Sequence, residues 1–99
     1  MRDYLPEGLP PRGKVQGVVT DDGGWPLPRA TVTVLDAGGK VLGSAHSRRN
    51  GSYEIVLEKP CNNCLLKAEH MGFAAQQRSG VNYNGSNSLW FGFALERSN

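Results

Sequence analysis

Cys61 and Cys64, with two residues between them, carry the most reactive side chains of this chain. A Cys-x-x-Cys pair supports three chemistries. A local disulfide needs an oxidising compartment and Cα atoms ~4.4–6.8 Å apart. A redox couple needs its first cysteine at a helix N-terminus, where the thiolate is stabilised. A zinc site needs two further ligands. Pro60 before the pair and Asn62-Asn63 within it set a turn rather than a helix start. His46 and His70 are the chain's imidazoles, and there is no second Cys-x-x-Cys. The expectation is a Cys61–Cys64 disulfide. The alternative is a small metal-binding protein built on Cys61, Cys64 and His70; no cofactor is expected.

Other reactive constellations are sparse. His70-Met71 with His46 makes a soft-metal set only if their strands adjoin. There is no Ser-His-Asp order, no phosphate-cradling glycine loop and no supported carboxylate pair. Lys14 or Lys67 with Asn84 or Asn87 has the chemistry of an intramolecular isopeptide bond, but these read as ordinary surface residues. Asn50-Gly51-Ser52 and Asn84-Gly85-Ser86 match the N-glycosylation tripeptide, which requires a surface turn. Trp90 alternates against Leu89 and Phe91, so it points outward if those point inward. Tyr83, in the expected loop before it, and Trp25, beside two prolines, complete a candidate set for a protein or glycan contact.

The balance of charge narrows the partners. A net charge of +2 with scattered Lys and Arg is not the concentrated basic face of a nucleic-acid binder. No apolar run of ~18 residues is present to span a membrane, and no apolar stretch follows Met1-Arg2-Asp3-Tyr4 as in a signal peptide. Residues 1–13, with Pro6, Pro10 and Pro11, read as a leader or linker, and 97–99 as a tail.

Seven short alternating segments must position these residues. They run from Gly13 to Thr20, Arg29 to Asp36, Val41 to Ser47, Ser52 to Glu58, Cys64 to Met71, Phe73 to Arg78 and Leu89 to Leu95. Asp21-Asp22-Gly23-Gly24, Asp36-Ala37-Gly38-Gly39 and Asn50-Gly51 punctuate them, the last favouring a primed hairpin turn. Residues 79–88 are polar and glycine-rich and read as a loop. Seven strands without helical period predict an all-β sandwich or small barrel, with Phe91 and Phe93 in its interior.

The order of these motifs resembles a known family. Val15-x-Gly17-x-Val19-x-Asp21, Pro26-Leu27-x-x-Ala30-x-Val32-x-Val34, Asn50-Gly51-Ser52-Tyr53 and Gly72-Phe73 follow one another as in the carboxypeptidase regulatory-like domain. The resemblance covers 14–96 and implies a seven-stranded antiparallel Greek-key sandwich of prealbumin-like topology, with Tyr53 as a core anchor. It also implies a non-catalytic accessory module of a larger secreted, periplasmic or cell-surface protein, whose partners are neighbouring domains and a protein or glycan ligand. Two catalytic families share this sandwich class. Transthyretin-like hydrolases end in Tyr-Arg-Gly-Ser, which this chain lacks, and intradiol dioxygenases need two tyrosines and two histidines around iron. A transthyretin-like hydrolase is the enzymatic alternative; the expectation is no catalysis.

Overall fold

Alternation of apolar and polar residues decides which segments become strands. The computed structural model describes residues 13–98. Among them lie β1 (Lys14–Asp21), β2 (Thr31–Leu35), β3 (Val41–His46), β4 (Ser52–Ile55), β5 (Cys61–Glu69), β6 (Gln76–Tyr83) and β7 (Ser88–Leu95). They form a three-stranded sheet ordered β4-β1-β7 and a four-stranded sheet ordered β3-β2-β5-β6. The fold is an all-β sandwich, and no helix among the described residues is long and apolar enough to cross a membrane.

Val15 and Val19 of β1, Val32 and Val34 of β2, Leu66 and Ala68 of β5, and Phe93 and Leu95 of β7 alternate into the space between the sheets. That period of two lets each sheet offer one apolar face to the other. At the start of β7, Leu89 and Phe91 are only half-buried and pack against the margin of this core.

Three features depart from the sequence-based expectation. The sixth strand lies at Gln76–Tyr83, so half of the segment expected to loop, residues 79–83, belongs to a strand paired with β5. Only Val81 and Tyr83 of that stretch turn inward, and the polar residues around them hide the strand signal, as is common on a sheet edge. Secondly, β1 and β7 pair in parallel from Lys14↔Ser88 to Asp21↔Leu95, whereas the other pairings are antiparallel. Parallel neighbours need a long crossover, and β2 to β6 supply it. Thirdly, Asn50-Gly51 makes no hairpin, because β3 pairs with β2 and β4 with β1. The turn passes between sheets: Gly51 N–H donates to the Arg48 carbonyl and Arg48 N–H to that of Ser52, both at 2.8 Å. Gly51 has φ 85° while Asn50 is not left-handed, so the turn is type I followed by a left-handed glycine rather than a primed turn.

Two buried tyrosines fasten β1. Gly17 stands between Tyr53 of β4 and Phe91 of β7 on one rung. The Tyr53 hydroxyl crosses it to donate to the Phe91 carbonyl at 2.8 Å. A Cβ at Gly17 would overlap that carbonyl. Burial pushes the Tyr53 phenol well above its ordinary range, and the charge of Arg78 offsets part of the effect. Tyr83, at the end of β6, donates its hydroxyl to the Gly13 carbonyl at 2.8 Å and so ties the second sheet to the entrance of β1. Ser47 closes the opposite end: its buried hydroxyl accepts from Ala30 N–H at 2.8 Å and donates to the Leu27 carbonyl at 2.5 Å.

Ser47→Ala should destabilise the domain by about 1–3 kcal/mol, because both main-chain partners lose their bond inside the protein. An unchanged urea midpoint would exclude this clamp. Tyr53 also makes stability sensitive to alkali. Its folded-state stabilisation is complete below about pH 10 and falls above it, since the unfolded phenol ionises while the folded one stays neutral. Urea midpoints compared at about pH 8 and about pH 11 should fall less in Tyr53→Phe than in the parent protein; equal falls would clear Tyr53 of that role.

Candidate functional site

The cysteines open β5, where its pairing with β6 shifts register between Cys61 and Cys64. Asn63 between them adopts φ 58°, a conformation asparagine tolerates better than most residues. The expected turn at 60–63 is therefore a bulge within the strand. The two Cα atoms are 6.1 Å apart with the sulfurs at bonding distance, and both side chains are buried. His70 follows the far end of β5, about 20 Å from Cys64 at roughly 3.3 Å per strand residue. Cys61, Cys64 and His70 thus cannot meet on one ion, and the metal-binding alternative fails on that geometry.

The histidines do not meet either. His46 at the end of β3 faces Thr31 of β2, whose other neighbour is Glu69 of β5. A whole strand separates the two imidazoles. The His70 ring is engaged elsewhere, its Nδ1 2.9 Å from the Met71 carbonyl oxygen and its Nε2 3.0 Å from that of Pro28. The converging histidines required by the hydrolase alternative are absent among the described residues.

The candidate binding residues are also dispersed. Tyr83 lies in β6 rather than a loop and is 1% exposed, so its ring cannot face a ligand. Its hydroxyl is engaged by main-chain oxygen, as a buried phenol requires. Trp25 is 74% exposed in the β1–β2 connection, beside the bridge from Thr20 to Pro26. Trp90 is 64% exposed on the outer face of the three-stranded sheet, level with Gln16. Along β1 from Gln16 to Thr20 the chain rises roughly 13 Å, at about 3.3 Å per residue, so the two indoles belong to separate surfaces.

Around Trp90 the register assembles a group of residues that strand alternation alone did not single out. Trp90, Gln16 and Glu54 occupy one rung across β7, β1 and β4. A Cβ at Gly92 would lie 3.0 Å from Trp90 Cη2 and 3.1 Å from Cζ3, so the six-membered ring rests over the bare glycine. The Arg78 guanidinium donates to the Gly92 carbonyl at 3.0 Å and covers that part of the β7 edge. Glu54 pairs with Lys14 and, at 3.4 Å, with Arg48. The Lys14 hydrogen bond and charge, followed by Arg48, hold its carboxyl below the usual range. The outcome is a flat aromatic surface flanked by an amide, a carboxylate and three cations. The Gly92 spacing two residues after Trp90 was the available sequence signal; which strands flank it was not encoded locally.

Comparison with known proteins bears on the whole domain. The model of the carboxypeptidase regulatory-like domain matches residues 14–96. No curated protein matches the chain in sequence. Among solved structures, the Bacillus anthracis TIE protein aligns over 88% of this chain and 18% of its own, at 15% identity and a TM-score of 0.67. The 3-chlorocatechol 1,2-dioxygenase of Rhodococcus opacus 1CP aligns over 99% of this chain and 64% of its own, at 11% identity and a TM-score of 0.62. The hydroxyquinol 1,2-dioxygenase of Pseudomonas putida DLL-E4 gives 97% and 64%, at 14% identity and 0.62. The chain therefore spans less than two thirds of each of these proteins, and at such identities the likeness is one of fold. With the order of motifs, the two-sheet sandwich and the matched segment in agreement, the chain belongs to the carboxypeptidase regulatory-like domain family.

Proposed function

We propose that this domain is a non-catalytic accessory module of a larger extracytoplasmic protein, and that the outer face of its β4-β1-β7 sheet binds carbohydrate through Trp90. The observation that carries the reading is the indole lying over Gly92 with its other face in solvent. A planar apolar ring meets the C–H face of a sugar, while polar neighbours on the same rung engage its hydroxyls. Gln16 offers both donor and acceptor groups, and Glu54, held ionised, is an acceptor. Trp90 spends little conformational freedom on binding, because its side chain is already pressed against the sheet.

The accessory role follows the family, and the extracytoplasmic setting accords with sulfurs placed for a disulfide. The Cys61–Cys64 bond would close a very short loop and so contribute little chain entropy, but it would fix the bulge that begins β5.

A glycan array followed by calorimetry on the best ligand tests this reading. Trp90→Ala should weaken binding by at least about tenfold, equivalent to about 1.4 kcal/mol, with the urea midpoint nearly unchanged. Gly92→Ala should weaken it less, since a Cβ there displaces the indole without removing it. Full affinity in Trp90→Ala, or no glycan bound by the parent protein, would exclude this face as a carbohydrate site.

A further inference from the structure

The end of the sandwich reached by β1, β3 and β5 carries a cleft of about 850 Å³ lined by Pro28, Arg29, Ser47, Arg49, His70 and Met71. It lies among three connections and away from the Trp90 rung. Its charge is one-sided: both arginines line it, and no carboxylate does. Neither Arg29 nor Arg49 is engaged in an ion pair or side-chain hydrogen bond among the described residues, and both are exposed.

Arg29 is also held in an unfavourable backbone conformation, with φ 65°. A residue with a Cβ costs roughly 1 kcal/mol or more in the left-handed region, where glycine is at home. Its surroundings enforce it. Arg29 N–H donates to the Ser47 carbonyl at 3.0 Å, and the next N–H, of Ala30, donates to the Ser47 hydroxyl at 2.8 Å. Strain of this kind, at a residue whose side chain is left without an internal partner, is the mark of a position kept for its side chain.

The cleft walls are fixed as well. His70 spans them, with one ring nitrogen at the Pro28 carbonyl and the other at that of Met71. The imidazole and the Phe73 ring stand perpendicular at a centroid distance of 5.3 Å, and Phe73 in turn receives the Arg97 guanidinium at 5.4 Å. These contacts also crowd the main-chain acceptors. The carbonyls of Pro28, Ser47 and Met71 already face His70 or Arg29 N–H. An extended peptide would therefore find no free strand-like ladder here, which is what peptide recognition by strand addition requires. What remains is two planar cations, each able to grip a carboxylate with paired N–H donors, over apolar surface from Pro28 and Met71.

We propose that this cleft binds an acidic saccharide, with Arg29 and Arg49 clasping the carboxylate of a uronic acid and Pro28 and Met71 supporting its ring. The site is independent of the Trp90 face and stands or falls separately.

Calorimetry of the full chain at low salt with trigalacturonate, and with a neutral trisaccharide and a glutamate-rich hexapeptide as competitors, decides the matter. The expected result is saturable binding of trigalacturonate, weakened by at least about tenfold in both Arg29→Gly and Arg49→Ala. Arg29→Gly should keep or raise the thermal midpoint, because glycine relieves the left-handed strain, so its loss of binding would not reflect unfolding. Trp90→Ala should bind trigalacturonate as the parent does. The proposal is overturned by absence of saturable binding, by equal affinity in both arginine variants, or by tighter binding of the neutral trisaccharide or the peptide. Loss of binding in Trp90→Ala alone would also overturn it, by placing the acidic ligand on the sheet face.

Discussion

A phenol hydroxyl reaching over a glycine is the contact around which the three-stranded sheet is organised. Gly17 leaves room for the Phe91 carbonyl on one side and the Tyr53 ring on the other, and the hydroxyl joins the two outer strands across the middle one. Each participant depends on the others. Without glycine the carbonyl has no place; without the hydroxyl that carbonyl is a partly buried acceptor with a weaker claim to its position. The same rung fixes the register of β1 against both neighbours, and register decides which side chains enter the core. The outer-face grouping of Trp90, Gln16 and Glu54 is set one step along the same ladder.

Much of this architecture was legible in the residues themselves. The burial of Val15, Val19, Val32, Val34, Leu66 and Phe93 follows from simple alternation, and the outward Trp90 follows from its inward neighbours. The two Asp-x-Gly-Gly loops were equally clear. Asp21 Oδ1 accepts from the N–H groups of Gly23 and Trp25 at 2.9 Å, and Asp36 Oδ1 does the same for Gly38 and Lys40 at 2.9 and 2.8 Å. Glycine then takes the positive φ that closes each loop, 89° at Gly24 and 90° at Gly39.

What escaped was information held between segments. Tyr83 looked like a loop residue because Ser79, Gly80, Asn82 and Asn84 around it are polar, yet an edge strand needs only its alternate positions to be apolar. Asn50-Gly51 looked like a hairpin because local turn chemistry does not report whether the flanking strands share a sheet. The strained backbone of Arg29 had no local signature, since it is imposed by Ser47 from a distant strand end. Local patterning likewise does not show which chemistry-bearing residues come together. Cys61 and His70 stand at opposite ends of one strand, and Trp25 and Trp90 on different surfaces.

The parallel alignment of β1 with β7 has a mechanical corollary. Lys14 begins one of these strands at one end of the sandwich, and Leu95 finishes the other at the opposite end. Tension applied between those two points slides the strands along each other instead of peeling them apart. The rungs from Lys14↔Ser88 to Asp21↔Leu95 then share the load and must yield together, the geometry in which a β-ladder resists pulling best.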